Sequence, residues 1–208
     1  MKGNTVLHLK ATALLAALAT LCACSEQDDY SPVRFRAEGN RLIATGTIDG
    51  TTMERFVQAR KAHPNARILV LQNIPGSADD DANLAFSSYI HKAGFTTIVP
   101  SDGMVASGGT DLFLAGKKRI LEKGACVGVH SWGDGVQEGN KVPKDDPQHQ
   151  VYFDYYDTIG IDRAFYWFTL EAAPAAGIHW MTTAEAARFR MTTQPPGPLA
   201  QGESCEQR

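Results

Sequence analysis

The 208 residues carry 20 Lys and Arg against 23 Asp and Glu, a formal net charge of −3, and 43% of them are hydrophobic. That balance excludes a nucleic-acid partner, because no Lys/Arg stripe exists to follow a phosphate backbone; the one run of three bases, Lys117-Lys118-Arg119, reads as a solvated helix end. The length fits one domain with a sizeable core, and no Cys/His spacing suits a metal, so neither a metal nor a cofactor is expected.

The amino terminus reads as a targeting signal. Lys2 and Lys10 make it positive, Ala11–Leu21 is an apolar stretch too short for a stable membrane span, and Leu21-Cys22-Ala23-Cys24 reads as a lipobox. Cleavage before Cys22 would place Leu21 at the small-residue site, so lipidation is expected on Cys24. Ser25 follows it where an Asp would signal inner-membrane retention, and the expectation is an outer-membrane lipoprotein facing the periplasm. Residues 24–32 are a polar, acidic tether.

Residues 33–193 form the expected domain. Leu42–Ile48 is predicted as a strand turned by Asp49-Gly50, and Thr51 or Thr52 as the cap of a helix whose apolar positions Met53, Phe56, Val57, Ala59 and Ala62 could supply a buried face. Pro64-Asn65 ends that helix. Ile68–Leu71 is an all-apolar strand of the kind buried in a parallel sheet. Asp79, Asp80 and Asp81 suit the start of the helix Ala82–Lys92 better than a metal cluster, and Gly94 leads into the strand Phe95–Val99. Alternating strands and helices predict an α/β fold with right-handed crossovers.

The next stretch holds the chemistry. A turn after Val99 ends at Ser107-Gly108-Gly109, where an apolar helix begins, so the serine faces free N–H groups able to stabilise an oxyanion. The strand Ala125–Val129 delivers His130 at its end, where sites on parallel sheets gather. An α/β-hydrolase elbow is disfavoured, because Val105 occupies the small-residue position two before the serine. Gly133–Pro147 is a polar loop, a lid, a specificity loop or an inert connection. Gln148–Thr158 and Asp162–Ala173 are predicted as helices whose aromatic residues mostly pack the core. Ile178–Met181 and the helix Thr183–Phe189 close the domain. Residues 194–208 are rich in Pro and Gly and expected to be disordered; whether Cys205 there pairs with Cys126 stays open.

Val105-Ala106-Ser107-Gly108-Gly109 resembles the nucleophile segment of the Clp protease proteolytic subunit and signal peptide peptidase group. Leu69-Val70-Leu71-Gln72-Asn73-Ile74-Pro75-Gly76-Ser77 is similar to the strand and glycine turn that lend that group an oxyanion-hole amide. Gly116-Lys117-Lys118-Arg119 and Val127-Gly128-Val129-His130 resemble the segments leading to its general base. The likeness spans about residues 42–193 and is greatest to small periplasmic Clp-like proteins of Gram-negative bacteria. It implies a Clp/crotonase fold, repeated ββα units in a superhelix around a mostly parallel sheet. It also implies a serine hydrolase, a peptidase by class, acting on peptide or protein substrates. Ser107 would be the nucleophile, His130 the general base, and Gly76 and Gly108 the oxyanion donors.

Clp proteases add an acid from the segment after the histidine, and this chain places no Asp there. Glu171 is the nearest candidate, with Asp154, Asp157 and Asp162 open to a geometric test; a backbone carbonyl or an Asn is another way to orient the base. Ser77 stands where many relatives have a second glycine. An acyl-CoA role is set aside because a periplasm lacks CoA. Two classes stay open: this hydrolase, or a catalytically silent lipoprotein that binds or scaffolds envelope partners through its aromatic surface. A homo-oligomer is compatible with either.

Overall fold

The computed structural model describes residues 30–208; the signal segment, Cys24 and most of the tether lie outside them. The strands are β1 (Arg34–Glu38), β2 (Arg41–Thr45), β3 (Ile68–Ile74), β4 (Thr96–Val99), β5 (Met104–Ala106), β6 (Lys118–Leu121), β7 (Cys126–Val129) and β8 (His179–Trp180). The helices are α1 (Thr52–Ala62), α2 (Asp80–Lys92), α3 (Gly108–Leu114), α4 (Gln150–Ile159), α5 (Arg163–Ala172), α6 (Thr183–Arg188) and α7 (Glu203–Glu206). Among the described residues no helix is long and apolar enough to cross a membrane.

The sheet forks at β3. Its first half, Ile68–Val70, pairs in parallel with β4, whereas Asn73 and Ile74 pair with β5. One branch continues from β4 to β6; the other runs β5, β7 and, antiparallel, β8. On the far side of β3 lies β2 in parallel, then β1 antiparallel at the edge. Strand pairs followed by a helix thus recur along the chain as β1β2α1 and β4β5α3.

Fully buried side chains explain the alternation. Leu42, Leu69, Leu71, Ile74, Val105 and Val127 have no exposed surface, each contributing about 1.5–3 kcal/mol of burial. Phe56 meets Phe35, Phe86 and Phe95 edge to face with ring centroids 5.2–5.4 Å apart, locking α1 and α2 onto the sheet. Asp79 caps α2 by accepting from the Ala82 N–H at 2.9 Å, so that helix starts two residues earlier than its apolar pattern suggests.

Five expectations need correction. On α1 Val57 and Ala62 are exposed, and of its apolar side chains Phe56 alone is fully buried. Thr51 makes no side-chain cap on α1; the Asp49 carboxylate instead accepts the Thr51 N–H at 2.9 Å and both threonine hydroxyls. Lys118 and Arg119 lie in β6, not at a helix end, because Ile120 and Leu121 pair with Ile98 and Val99 and carry the two basic residues into the ladder. Met104–Ala106, read as part of a turn, is a strand. Residues 194–208 lie against the sheet instead of forming a disordered tail. Cys205 is disulfide-bonded to Cys126, the Ala200 N–H donates to the Ala125 carbonyl at 3.1 Å, and Arg208 Nη1 reaches the Gly103 and Gly124 carbonyls at 2.9 Å.

The aromatic residues of α4 and α5 turn mainly inward. Tyr155, Tyr156, Phe165 and Tyr166 are buried, while Tyr152, Phe153, Trp167 and Phe168 are partly buried against the same core. Little of that cluster is left as an aromatic surface.

Candidate active site

Ser107 is the hinge between β5 and α3. Its backbone has φ 51° and ψ −129°, a left-handed conformation unusual outside glycine and one that costs about 1–3 kcal/mol. Neighbouring bonds hold it there. The Ser107 N–H donates to the Gly128 carbonyl at 3.1 Å, and the Thr110 hydroxyl donates to the same oxygen at 2.8 Å, fixing the start of α3 against β7. The small residues that a sharp turn needs stand after the serine: a Cβ on Gly109 would collide with the Ile74 carbonyl, and one on Gly108 with the Ser77 hydroxyl. Val105, two before the serine, stays buried in its strand.

The β3 turn closes on the same point. A Cβ built on Gly76 would lie 3.3 Å from Ser107 Cβ and 3.7 Å from its Oγ, which sets the backbone after β3 directly against the serine. Gly108 is the first residue of α3. Both sequence-assigned oxyanion donors therefore flank the serine. Ser77 packs beside Gly108 and donates its hydroxyl to Asp80 at 2.5 Å.

His130 follows β7 and lines the cavity of about 40 Å³ that Ser107 also lines. Its Nδ1 is 2.7 Å from the Ser131 carbonyl oxygen, an acceptor that requires the proton on Nδ1 and leaves the Nε2 lone pair available as a base. That carbonyl belongs to a tethered residue: the Ser131 N–H donates to Ala173 at the end of α5, and the Ser131 hydroxyl accepts the Asn140 N–H at 3.0 Å. Among the described residues no hydrogen bond joins the Ser107 hydroxyl to the imidazole. Such contacts are often long until substrate is bound.

Glu171 has no part in this arrangement. Its side chain is 68% exposed and pairs with Lys144 at 3.4 Å, because its place on α5 directs it to solvent. Asp154 accepts from Gln150, Asp157 pairs with Arg163, and Asp162 caps α5, so the other three acids are also engaged elsewhere. The orienting group is the Ser131 carbonyl.

The cavity contains an acid absent from the expected set. Asp111 lies one helical turn beyond Ser107, and its Oδ1 accepts from the Tyr156 hydroxyl at 2.6 Å. Burial pushes its carboxyl up to about 7, against the pull of the Tyr156 hydrogen bond and with a further push from Asp80. Asp80 reaches the cavity as well, accepting from the Tyr152 hydroxyl at 2.8 Å. The sequence signal was a lone charge within the apolar helix Gly108–Leu114, four residues from the serine.

The wall beside His130 is held from behind. His149 is fully buried; its Nε2 donates to the Pro143 carbonyl at 3.1 Å, which leaves Nδ1 to accept from the Tyr166 hydroxyl at 2.6 Å. Tyr166 in turn accepts from Trp132 Nε1 at 2.8 Å. The chain of bonds fixes Trp132, two residues after His130, and the loop carrying Pro143. Among the described residues there is no group of three or more potential metal ligands.

No family model matches the chain, and no curated protein does. Solved structures do match it. An enoyl-CoA hydratase/isomerase (crotonase) from Legionella pneumophila subsp. pneumophila str. Philadelphia 1 superposes with a TM-score of 0.50 at 16% identity, covering 80% of this chain and 70% of that one. An enoyl-CoA hydratase from Mycobacterium marinum gives a TM-score of 0.50 at 12% identity, covering 81% and 78%. A membrane-bound stomatin-specific protease in complex with a substrate peptide gives 0.44 at 15% identity, covering 76% and 71%. At such identities the likeness concerns architecture alone, and the chain has a crotonase-like fold, mixed α/β around a mostly parallel sheet.

Proposed function

We propose that the protein is a serine hydrolase, a peptidase by class, tethered to the envelope through a lipid on Cys24. One observation carries the catalytic reading: a serine in a strained strand-to-helix turn opens into the same cavity as a histidine whose Nδ1 is already occupied. Ser107 Oγ would bond to the acyl carbon while its proton passes to His130 Nε2. Collapse of the adduct breaks the acyl–nitrogen bond, and His130 returns the proton to the leaving amine; water then repeats the sequence to free the serine. The amides of Gly76 and Gly108 would receive the oxyanion, and the Ser131 carbonyl would orient the imidazole where a Clp protease uses an acid. The envelope location and the peptide substrate rest on the lipobox and the motif resemblance.

A silent binding lipoprotein is the second reading, favoured by the small cavity and by the missing Ser107–His130 hydrogen bond. A fluorophosphonate probe decides between them. The hydrolase reading expects covalent label on Ser107, absent from Ser107→Ala and strongly reduced in His130→Ala, with both variants keeping the wild-type circular dichroism spectrum. A folded wild-type protein that stays unlabelled from neutral to mildly alkaline pH would leave the silent reading standing.

A further inference from the structure

Away from the serine, a groove of about 440 Å³ lies between β6, the turn joining α4 to α5, and the end of α6. Arg119, Arg188 and Arg190 line it, with Asp162 as the only carboxylate among its lining residues. Three guanidiniums against one carboxylate leave a local excess of positive charge on a chain whose net charge is −3.

None of the three arginines has an ion-pair partner among the described residues. Arg119 spends three N–H groups on backbone carbonyls: Met191 at 2.7 Å, Gly116 at 3.2 Å and Arg190 at 3.2 Å. A guanidinium has five such donors, so two remain. Burial without a counter-ion holds Arg119 below the usual range for its type. Arg188 lies over the Phe189 ring at 4.8 Å, a contact of the guanidinium face that spends none of its N–H groups on an oxygen acceptor. Arg190 occupies left-handed backbone at φ 51°, which ends α6 and brings its carbonyl onto Arg119. Asp162 is partly engaged, since one of its oxygens caps α5 by accepting from the Ala164 N–H at 2.8 Å.

We propose that this groove binds a phosphate-class anion through Arg119, Arg188 and Arg190. Guanidinium groups match phosphate oxygens in pairs, and an excess of two positive charges matches a dianion better than a monocarboxylate. The volume exceeds that of inorganic phosphate and accommodates a phosphate ester with an organic substituent. The site stands without the hydrolase reading, since no residue of the groove lines the serine cavity.

The test is a titration of the ¹⁵N-labelled chain with inorganic phosphate at constant ionic strength, against a chloride control, followed by NMR. Saturable shifts are expected at the amides of Gly160, Ile161, Phe189 and Arg190. Arg188→Gln with Arg190→Gln should weaken binding at least tenfold while leaving fluorophosphonate labelling at the wild-type value. Arg119 is kept, because its carbonyl bonds support the fold. A second arm sediments the chain with phosphatidylglycerol or phosphatidylcholine vesicles. Arginine-dependent binding to the anionic vesicles alone assigns a lipid headgroup, and phosphate binding without it assigns a soluble phosphate or ester. Shifts that grow linearly, spread over the surface or survive the double substitution overturn the site, provided the vesicles are also ignored or bound equally by both forms.

Discussion

Asp111 is the residue whose ionisation most directly marks the site. Its carboxyl is raised from the ordinary unfolded value near 4 to about 7, so the folded chain holds a proton that the unfolded chain gives up. The stability it contributes is complete below about pH 4 and is lost as pH rises through about 7. Asp111→Asn should remove that dependence: the difference in urea stability between variant and wild type should grow by about 1–3 kcal/mol from pH 4 to pH 8, in favour of the variant. A difference that stays flat over this interval would mean that the Asp111 carboxyl titrates in the folded chain as it does in the unfolded one. Glu171→Gln tests the neighbouring correction. Its exposed pair with Lys144 is remote from the imidazole, so the labelling rate at Ser107 should stay within about twofold of wild type, whereas loss of a true triad acid costs about 10⁴-fold. Ser107 was legible from the two glycines and the apolar helix that follow it, and His130 from the apolar strand that precedes it. The Ser131 carbonyl was not, since every residue has one and only the fold selects which of them meets a ring nitrogen.

At the scale of elements, apolar runs and punctuation located most of the helices and strands, and they failed where neighbours decide. β5 has three residues, too few to show a period, and exists because Asn73, Ile74, Cys126 and Val127 offer it partners on both sides. β6 begins with two basic residues that a one-dimensional reading assigns to solvent. The carboxyl-terminal segment looked unstructured by composition, yet its docking comes from a covalent bond and backbone contacts that composition does not encode. Cys205→Ser should therefore lower stability by about 2–4 kcal/mol, the usual contribution of a disulfide closing a loop of this size, here a separation of 79 residues. Hydrogen exchange should rise in β7 and in the Ser101–Gly103 turn. An unchanged denaturation midpoint would show that the segment is held by its backbone contacts alone.

For the whole molecule, the alternation of elements carried the architecture, and the fork at β3 was beyond its reach because pairing one strand with two partners leaves no trace in a pattern of apolar residues. The proposed lipid anchor belongs to this scale too. Cys24→Ala should abolish incorporation of labelled palmitate, and continued labelling of that variant would move the anchor elsewhere. The fork has a further consequence through the segment that closes it. After α6 the chain returns along β6, where the Arg119 N–H donates to the Thr193 hydroxyl at 3.1 Å and the Thr193 N–H donates to the Arg119 carbonyl at 3.2 Å. The outer rim of that branch is thereby occupied. The other branch ends in β8, two residues long, and β1 at the remaining rim alternates Arg34, Arg36 and Glu38 outward. A short strand, a covered strand and a charged strand are the devices that stop sheets from joining end on. The chain is thus built against fibre growth by strand addition.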